Sequence, residues 1–385
     1  MSHAALRRSR RARVAALGGL AALTFTGLAG TANANATARP AARGVFSKAH
    51  DRFVSSTIDP ATGDDNPYGV TVVPVTSGSL VRNDVLVSDF NNFGGTGGAG
   101  TSIVQIDPST GAVSDFAHGG SIAGPDSLTF NPKGFLWVGD LGAPNSSGVD
   151  SGANGNVAIV SPTGAVSVTF DRMTTGHGFF AGTWGQEYGM NVAGKVSFYW
   201  PDAGTGSDAG TVWRLDPNPS GPPNGQPTNA TYALIAKLPA GGPTATVPTV
   251  RGPQGEAYDA ATDTLYVADD AANEIVAIPH ASMASGPQKV PVVLKGGPLH
   301  APQGIVLDPA TKTLLVVNGA TNNDVIDVTT SGRVIGVDNV APNEPAGALF
   351  GLAVDPTGTT KHRTALYYVN DDENSLHLLT FSNRP

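Results

Sequence analysis

One pattern recurs six times along this chain and constrains its fold more than any other feature. The pattern begins with Pro-x-Gly, an apolar alternation, Asp-Pro or Asn-Pro and a short turn. An apolar pair that ends in Val follows, then Asp or Asn, a loop and a second apolar strand. The copies begin at Asn66-Pro67-Tyr68-Gly69, Pro125-Asp126-Ser127, Gly185-Gln186-Glu187, Pro253-Gln254-Gly255, Pro302-Gln303-Gly304 and Leu349-Phe350-Gly351. Repeats of this size stack because one unit cannot bury its own apolar faces.

The repeats predict an all-β, six-bladed β-propeller with four strands in each blade. In the fifth copy the predicted strands are Gly304 to Leu307, Leu314 to Val317, Val325 to Val328 and Arg333 to Val337. Leu314 to Val317 is apolar on both faces, as a sheet packed between two neighbours requires. The sixth copy ends after its third strand, and Val45-Phe46 is predicted to supply the fourth and close the ring.

The first 36 residues predict an export signal and not a part of the fold. Five arginines precede an apolar run from Val14 to Ala29, and small-residue cleavage motifs follow at residues 32–36. The run is shorter than the ~20 residues that a membrane-spanning helix needs. We therefore expect cleavage near residue 36 and a secreted, soluble propeller over residues 37–385, whether export is by the Sec or the twin-arginine route.

Composition excludes several classes of site and partner. The chain has no cysteine, which rules out disulfides and thiolate metal sites. Its net charge is −8, and loss of the arginine-rich leader would make it more acidic still. Because nucleic-acid binding needs clustered Lys and Arg, we expect no nucleic-acid partner. The expected partner is a small molecule or an extracellular protein or peptide, bound by a monomer that has no membrane contact after cleavage.

The residue before the repeat glycine is predicted to lie on one circle around the axis of the closed ring. Aligning the third copy with the second at an offset of 60 puts Asn191 on Asn131. With that alignment the position holds Tyr68, Asp126, Gln186, Gln254, Gln303 and Phe350. Asp126, Gln186, Gln254 and Gln303 are predicted to converge at one mouth of the channel and bind a ligand. The alternative is that they satisfy main-chain groups at a crowded mouth.

Two glutamates break the repeat. Glu187 stands where other copies have Gly or Ser, and Glu256 stands where they have an apolar or aromatic residue. Because an unpaired buried carboxylate is costly, Glu256 is predicted to be buried and to contact a cation or a donor. A salt bridge to Arg251 is one reading. A metal held by Glu187, Glu256 and Asp126 is another, with calcium as the candidate because it prefers oxygen ligands.

Basic residues in the loops that enter first strands are the candidate catalytic groups. His300, Arg251 and His177 are the candidates, since histidine is the usual general base near neutral pH and these loops share the ligand-binding face.

Two stretches resemble known repeats. Pro253 through Asp269 resembles an NHL repeat, and Pro125 through Asp140 resembles repeats of SMP-30/gluconolactonase and streptogramin-lyase propellers. The resemblance spans residues 45–385 and implies the fold, which hosts lactonases, lyases, receptors and scaffolds. SMP-30-type lactonases bind calcium with a glutamate in an early Glu-Gly-Pro motif, but this chain has Asp65-Asn66-Pro67-Tyr68 there. The zinc-binding histidine positions of peptidylglycine-lyase-type propellers hold Asp126, Gln254 and Gln303.

The sequence favours an exported ligand-binding or protein-interaction scaffold. The alternative is a divalent-metal-dependent small-molecule hydrolase, lactonase or lyase of the SMP-30-like type, which rests on Glu187, Glu256 and the polar ring. Whether the protein is an enzyme stays open at this point.

Overall fold

A computed structural model describes residues 46, 49–142, 155–171, 182–204, 208–241 and 251–382. The leader, Val45 and His177 lie outside these residues. Within them, 24 β-strands form six four-stranded antiparallel sheets, and the one helical element with assigned bounds is a short 3-10 turn at Ala281–Met283. The chain is therefore an all-β six-bladed propeller, which confirms the prediction from the repeats. In the described part of the chain, no helix has the length and apolarity to cross a membrane.

The first three blades follow one another along the chain. Blade 1 contains β2 Asp65–Val72, β3 Val85–Asn91, β4 Ser102–Asp107 and β5 Ala112–His118. Blade 2 contains β6 Pro125–Phe130, β7 Leu136–Asp140, β8 Asn156–Val160 and β9 Val166–Asp171. Blade 3 contains β10 Glu187–Met190, β11 Val196–Asp202, β12 Thr211–Asp216 and β13 Thr231–Lys237. In each blade the four strands are hydrogen-bonded in chain order.

The last three blades repeat this arrangement, with one exception. Blade 4 contains β14 Pro253–Asp259, β15 Thr264–Asp269, β16 Glu274–Pro279 and β17 Val292–Lys295. Blade 5 contains β18 Pro302–Leu307, β19 Thr313–Asn318, β20 Asp324–Thr329 and β21 Val334–Asn339. Blade 6 contains β22 Leu349–Val354, β23 Arg363–Asn370 and β24 Ser375–Ser382 from the end of the chain, and β1 His50–Ser56 from its beginning.

The ring closes through β1, which pairs antiparallel with β24 so that His50 lies opposite Thr380 and Ser56 opposite Ser375. Closure by an N-terminal strand is as predicted, but the choice of Val45-Phe46 is wrong. Phe46 instead packs its ring against Phe381, with 4.7 Å between the ring centroids. The strand is hard to recognise because it is an outer edge: its first four residues are exposed, so it lacks the apolar run of an inner strand.

The repeat glycine marks the closest approach between neighbouring inner strands. A Cβ at Gly304 would collide with the carbonyl oxygen of Phe350 in the next blade, and one at Gly351 would collide with that of Tyr68. Gly255 meets Gln303 in the same way. Only glycine lets the strands converge this tightly around the axis, which explains why the pattern recurs.

Gly351→Ala is expected to lower the free energy of unfolding by about 1–3 kcal/mol, the usual cost of overpacking. The added methyl group would press on main chain, which cannot rotate away. Gly286→Ala is the matched control, because its Cβ would meet nothing within 4 Å, and we expect a change within about 0.5 kcal/mol. Urea unfolding of both variants measures the difference. Equal stabilities would show that inner-strand convergence does not require the glycine.

The Asp-Pro turns form as the sequence predicts. The Asp308 carboxylate accepts a hydrogen bond from the Ala310 amide at 2.7 Å, and Asp355 accepts one from the Thr357 amide at 2.8 Å. Each turn links the first strand of its blade to the second. These side-chain contacts fix the hairpins that hold the channel-lining strands in place.

Candidate functional site

The first strands of the six blades surround a central cavity of about 560 Å³. All four predicted ligand residues line it, together with both exceptional glutamates. Among the described residues of its wall, the charged members are Arg82, Asp126, Glu187 and Glu256. Arg82 is exposed, in the turn between β2 and β3. The remainder of the channel therefore carries three acids and no basic residue among the described wall residues.

The third blade is shifted by two residues from its sequence alignment. Gly185, not Glu187, occupies the convergence point, because a Cβ there would collide with the carbonyl oxygen of Gln254 in the next blade. The β10–β11 hairpin matches the β6–β7 hairpin at the turn, where Asn191 and Asn131 each accept hydrogen bonds from the main-chain amides two and four residues further on. Toward the channel mouth, the β10–β11 hairpin is the longer of the two. The alignment at an offset of 60 follows the turn and therefore misplaces the mouth of the channel.

With the corrected register, Trp184 takes the position before the glycine. An aromatic-Gly pair then recurs in three blades, as Tyr68-Gly69, Trp184-Gly185 and Phe350-Gly351. The rings stack: Tyr68 lies 3.8 Å from Phe350 and 5.5 Å from Trp184, between centroids. Phe90 joins them at 4.4 Å from Tyr68. This aromatic layer, formed by Tyr68, Phe90, Trp184 and Phe350, was missed from the sequence, although the recurring aromatic-Gly dipeptide could have indicated it.

Gln186 has a different environment from the other predicted ligand residues. Its side-chain nitrogen donates to the carbonyl oxygens of Ser127, at 3.0 Å, and Trp137 in blade 2. In the corrected register it occupies the position of Leu128 and Ile305, whose side chains pack between blades. The side-chain nitrogen of Gln186 is therefore engaged by main chain, which is the alternative that the sequence left open.

The remaining three predicted ligand residues lie at one level of the channel wall. Asp126 accepts a hydrogen bond from the Ser127 hydroxyl at 3.0 Å. Gln254 forms a side-chain hydrogen bond with Asp270 in the β15–β16 loop, and the Gln303 amide lies over Gly319 in the β19–β20 loop. The fold thus brings Asp126, Gln254 and Gln303 together around the channel. Their binding of a ligand stays a prediction.

Glu256 is an acid without a counter-charge. Its side chain is 5% exposed, and neither carboxylate oxygen has a hydrogen-bond partner among the described residues. Burial, and then the nearby Glu187 carboxylate, hold the pKa of Glu256 well above its usual range. Burial is therefore as predicted, but the predicted cation or donor is not found in the described part of the chain.

Glu187 faces Glu256 across the boundary between blades 3 and 4. Side chains alternate along a strand, so Glu187 points the same way as positions 185 and 189. Those two glycines lie against Gln254 and Tyr258 of blade 4. Burial raises the pKa of Glu187 to about 8. The two glutamates, called here the acid pair, therefore stay largely protonated near neutral pH unless a positive charge joins them.

Two of the candidate catalytic residues, Arg251 and His300, have partners other than the acid pair. Arg251 donates to the Asp270 carbonyl at 2.7 Å and lies 3.6 Å from its carboxylate, so the predicted salt bridge from Arg251 to Glu256 is wrong. The backbone amide of His300 donates to Asn318 at 2.8 Å. Neither Arg251 nor His300 is among the described residues that line the cavity. His177 lies outside the described residues.

A calcium ion fits the described side chains poorly. Calcium takes six to eight oxygen ligands, whereas the acid pair offers two carboxylates. Across the described residues, no group of three or more His, Asp or Glu side chains is close enough together to hold a metal ion. That Asp126 joins Glu187 and Glu256 around calcium therefore stays a prediction, and the described residues do not form a cluster of ligands that supports it.

Comparisons with known proteins agree with the architecture. No protein-family model matches the chain, and no curated protein matches its sequence. Many solved structures do match. One, provisionally assigned as a gluconolactonase, has a TM-score of 0.52 at 16% identity over 90% of this chain and 99% of its own. What the two chains share is the six-bladed propeller fold. The resemblance seen in the repeats is thus confirmed at the level of fold.

Two further solved structures are similar to this chain. An auxiliary nutrient-binding protein from Bacteroides thetaiotaomicron has a TM-score of 0.51 at 12% identity, over 87% of this chain and 77% of its own. A virginiamycin B lyase from Staphylococcus aureus has a TM-score of 0.47 at 13% identity, over 86% and 99%. Identities this low carry no activity from one propeller to another, so function is argued from the channel.

Proposed function

We propose that this chain is an exported binding propeller that takes a small, positively charged ligand into its central channel. The observation that carries the proposal is Glu256, a buried carboxyl group whose two oxygens have no partner among the described residues, beside a second glutamate on the wall of a 560 Å³ cavity. Buried polar groups are nearly always satisfied in native proteins. A ligand cation would supply the missing partner and the missing charge.

Export of the protein is supported by the leader. The arginine-rich start, the apolar run and the small-residue cleavage motifs form the pattern of a secretory signal. A chain without cysteine needs no oxidative folding after export. The mature propeller would then meet its ligand outside the cytoplasm.

The alternative function is a divalent-metal-dependent hydrolase, lactonase or lyase of the SMP-30-like type. It is favoured by the presence of Asp126, Glu187 and Glu256 in one cavity, since carboxylates are suitable ligands for a divalent ion. The candidates Arg251 and His300 would have to act from outside the described cavity wall. This alternative predicts stabilisation by calcium and turnover of a small ester or lactone.

A thermal-shift screen tests the proposed function. The panel contains alkylammonium and guanidinium salts, calcium and magnesium chloride, neutral sugars and lactones. We expect at least one cation to raise the Tm of the wild-type protein and to have no effect on Glu256→Gln, which keeps the shape but cannot ionise. Asp338→Asn is the matched control, since it removes an acid from the outer strand β21, and it should respond as the wild-type protein does.

Three results would contradict the proposal. They are stabilisation by neutral compounds only, an equal response of Glu256→Gln, and no response of the wild-type protein to any cation at millimolar concentration. Stabilisation by calcium together with lactone hydrolysis would favour the enzyme alternative instead.

A further inference from the structure

We infer that the channel selects an organic ammonium ion that carries an aromatic or other flat apolar group, in preference to a metal ion. This inference rests on the proposed function, because it specifies the ligand of the same channel.

The acid pair suits an ammonium ion better than a divalent metal. An ammonium group has three N–H donors and is satisfied by two or three acceptors, which two carboxylates provide. The positions that match Glu256 in four other blades are Val70, Leu128, Ile305 and Leu352, and the fifth, Gln186, adds a single amide oxygen at that level. A calcium ion there would keep most of its water, but an ammonium group needs only the acid pair.

The aromatic layer supplies a second, different contact surface on the same cavity. Tyr68, Trp184 and Phe350 all line the cavity, and Phe350 is partly exposed. The indole nitrogen of Trp184 is buried and has no acceptor among the described residues. The rings of Tyr68, Phe90 and Trp184 cover one another, and the partly exposed ring of Phe350 offers a surface that suits a flat apolar group or a cation. A ligand with one charged end and one aromatic end would satisfy both surfaces.

Strand geometry sets the length of the ligand. Trp184 lies three residues before Glu187, the first residue of β10, a separation of roughly 10 Å along an extended chain at about 3.3 Å per residue. A ligand that reaches both surfaces therefore needs a flexible chain of several bonds between its ammonium group and its ring. This separation suggests 4-phenylbutylammonium as a probe and distinguishes it from compounds that have only one of the two groups.

Calorimetric titration with matched probes tests the inference. 4-Phenylbutylammonium is compared with 4-phenylbutanol, which lacks the charge, with n-butylammonium, which lacks the ring, and with calcium chloride. We expect the first to bind at least tenfold more tightly than any of the others. Glu256→Gln should weaken its binding at least tenfold, and Asp338→Asn should leave it unchanged.

Variants of the aromatic layer test the second contact. Trp184→Leu should weaken 4-phenylbutylammonium binding and leave the weak binding of n-butylammonium unchanged. Phe350→Leu serves the same purpose if Trp184→Leu does not fold, which near-UV circular dichroism would show. Equal weakening of both amines would mean that these rings do not contact the apolar group, and that result would overturn the inference.

The remaining outcomes separate this inference from the proposed function. If 4-phenylbutanol binds as tightly as the amine, the channel does not recognise charge and both proposals fail. If calcium binds, depends on Glu256 and excludes the amine, the channel is a cation site but the inference about an organic ammonium ion is wrong. If n-butylammonium binds as tightly as the longer amine, the acid pair is the site and the aromatic layer is not.

Discussion

Glu256→Leu should stabilise the ligand-free propeller by about 1–4 kcal/mol, the range seen when a buried ion pair is replaced by well-packed apolar residues. The substitution introduces the residue type that stands at this position in blades 2 and 6, as Leu128 and Leu352. It removes a carboxyl group whose two oxygens have no partner in the described structure and adds apolar contact between blades. Stability rises because folding no longer has to remove this carboxyl group from water.

The same substitution should abolish cation binding, since it removes one of the two carboxylates that we propose as the site. Urea unfolding and the thermal-shift screen measure both effects on one protein. Asp338→Leu is the control and should change stability by no more than about 0.5 kcal/mol, because Asp338 is partly exposed on an outer strand. A Glu256→Leu protein that is less stable than the wild type would show that Glu256 has a stabilising partner.

An increase in stability together with loss of binding would show that the acid pair lowers the stability of the free protein, as functional sites often do. Residues that bind a ligand are selected for the bound state, so they often destabilise the free protein. Blades 1, 2, 5 and 6 have apolar residues at this level, which shows what the fold itself prefers. The departure in blade 4 therefore calls for a functional explanation.

The fold could be predicted because its determinants are local and repeated. Each copy has a small residue where inner strands converge, which is glycine except for Ser127 in blade 2, a turn after the first strand and an apolar second strand. Gly304, the Asp308-Pro309 turn and Leu314 to Val317 show all three in blade 5. Six such copies leave few alternatives to a ring, since every blade must cover the apolar faces of its neighbours.

The closing strand and the third blade show where sequence reasoning is limited. β1 is an exposed edge strand, so its sequence is little constrained by burial. Val45-Phe46 was chosen instead because it is apolar, but Phe46 is buried without being part of the closing strand. In blade 3 the turn at Asn191 preserves the repeat but the hairpin beyond it is longer. The sequence does not show whether blade 3 matches the other blades at its turn or at the channel mouth. The contact of Gly185 with blade 4 shows that the register at the mouth is shifted.

The site was only partly predictable for a related reason. Glu187 and Glu256 could be recognised as exceptional, because each breaks a pattern that the other blades keep. Their contact could not be recognised, because it depends on how side chains alternate along β10 and β14 and on the two-residue shift of β10. Arg251 was a reasonable partner by sequence distance, but the fold turns it toward Asp270.

The stability of the ligand-free protein should fall as pH rises from about 5 to about 8, as a consequence of the acid pair. The pKa of Glu187 is raised from 4.5 to about 8, and burial, and then Glu187, raise the pKa of Glu256 well above its usual range. Across this range the folded state holds protons that the unfolded state releases. The free energy of unfolding therefore decreases with pH, by up to about 1.4 kcal/mol per pH unit for each proton.

The double variant Glu187→Gln/Glu256→Gln isolates this effect. Other buried acids, such as Asp140 and Asp371, also have a raised pKa, but they are present in both proteins and cancel in the difference. At pH 5 the wild-type acids are protonated and resemble glutamine, so the two proteins should have similar stability. At pH 8 the wild type should be clearly less stable, by an amount that exceeds 1 kcal/mol.

The most direct test of an uncompensated acid pair is therefore the free energy of unfolding of the wild type and the double glutamine variant, measured at pH 5 and at pH 8 in the presence of a chelator. We predict a difference near zero at pH 5 and a less stable wild type at pH 8. Parallel pH dependence, or a wild type that is more stable than the variant at pH 8, would contradict the account, because it would mean that the two carboxylates are already ionised and paired.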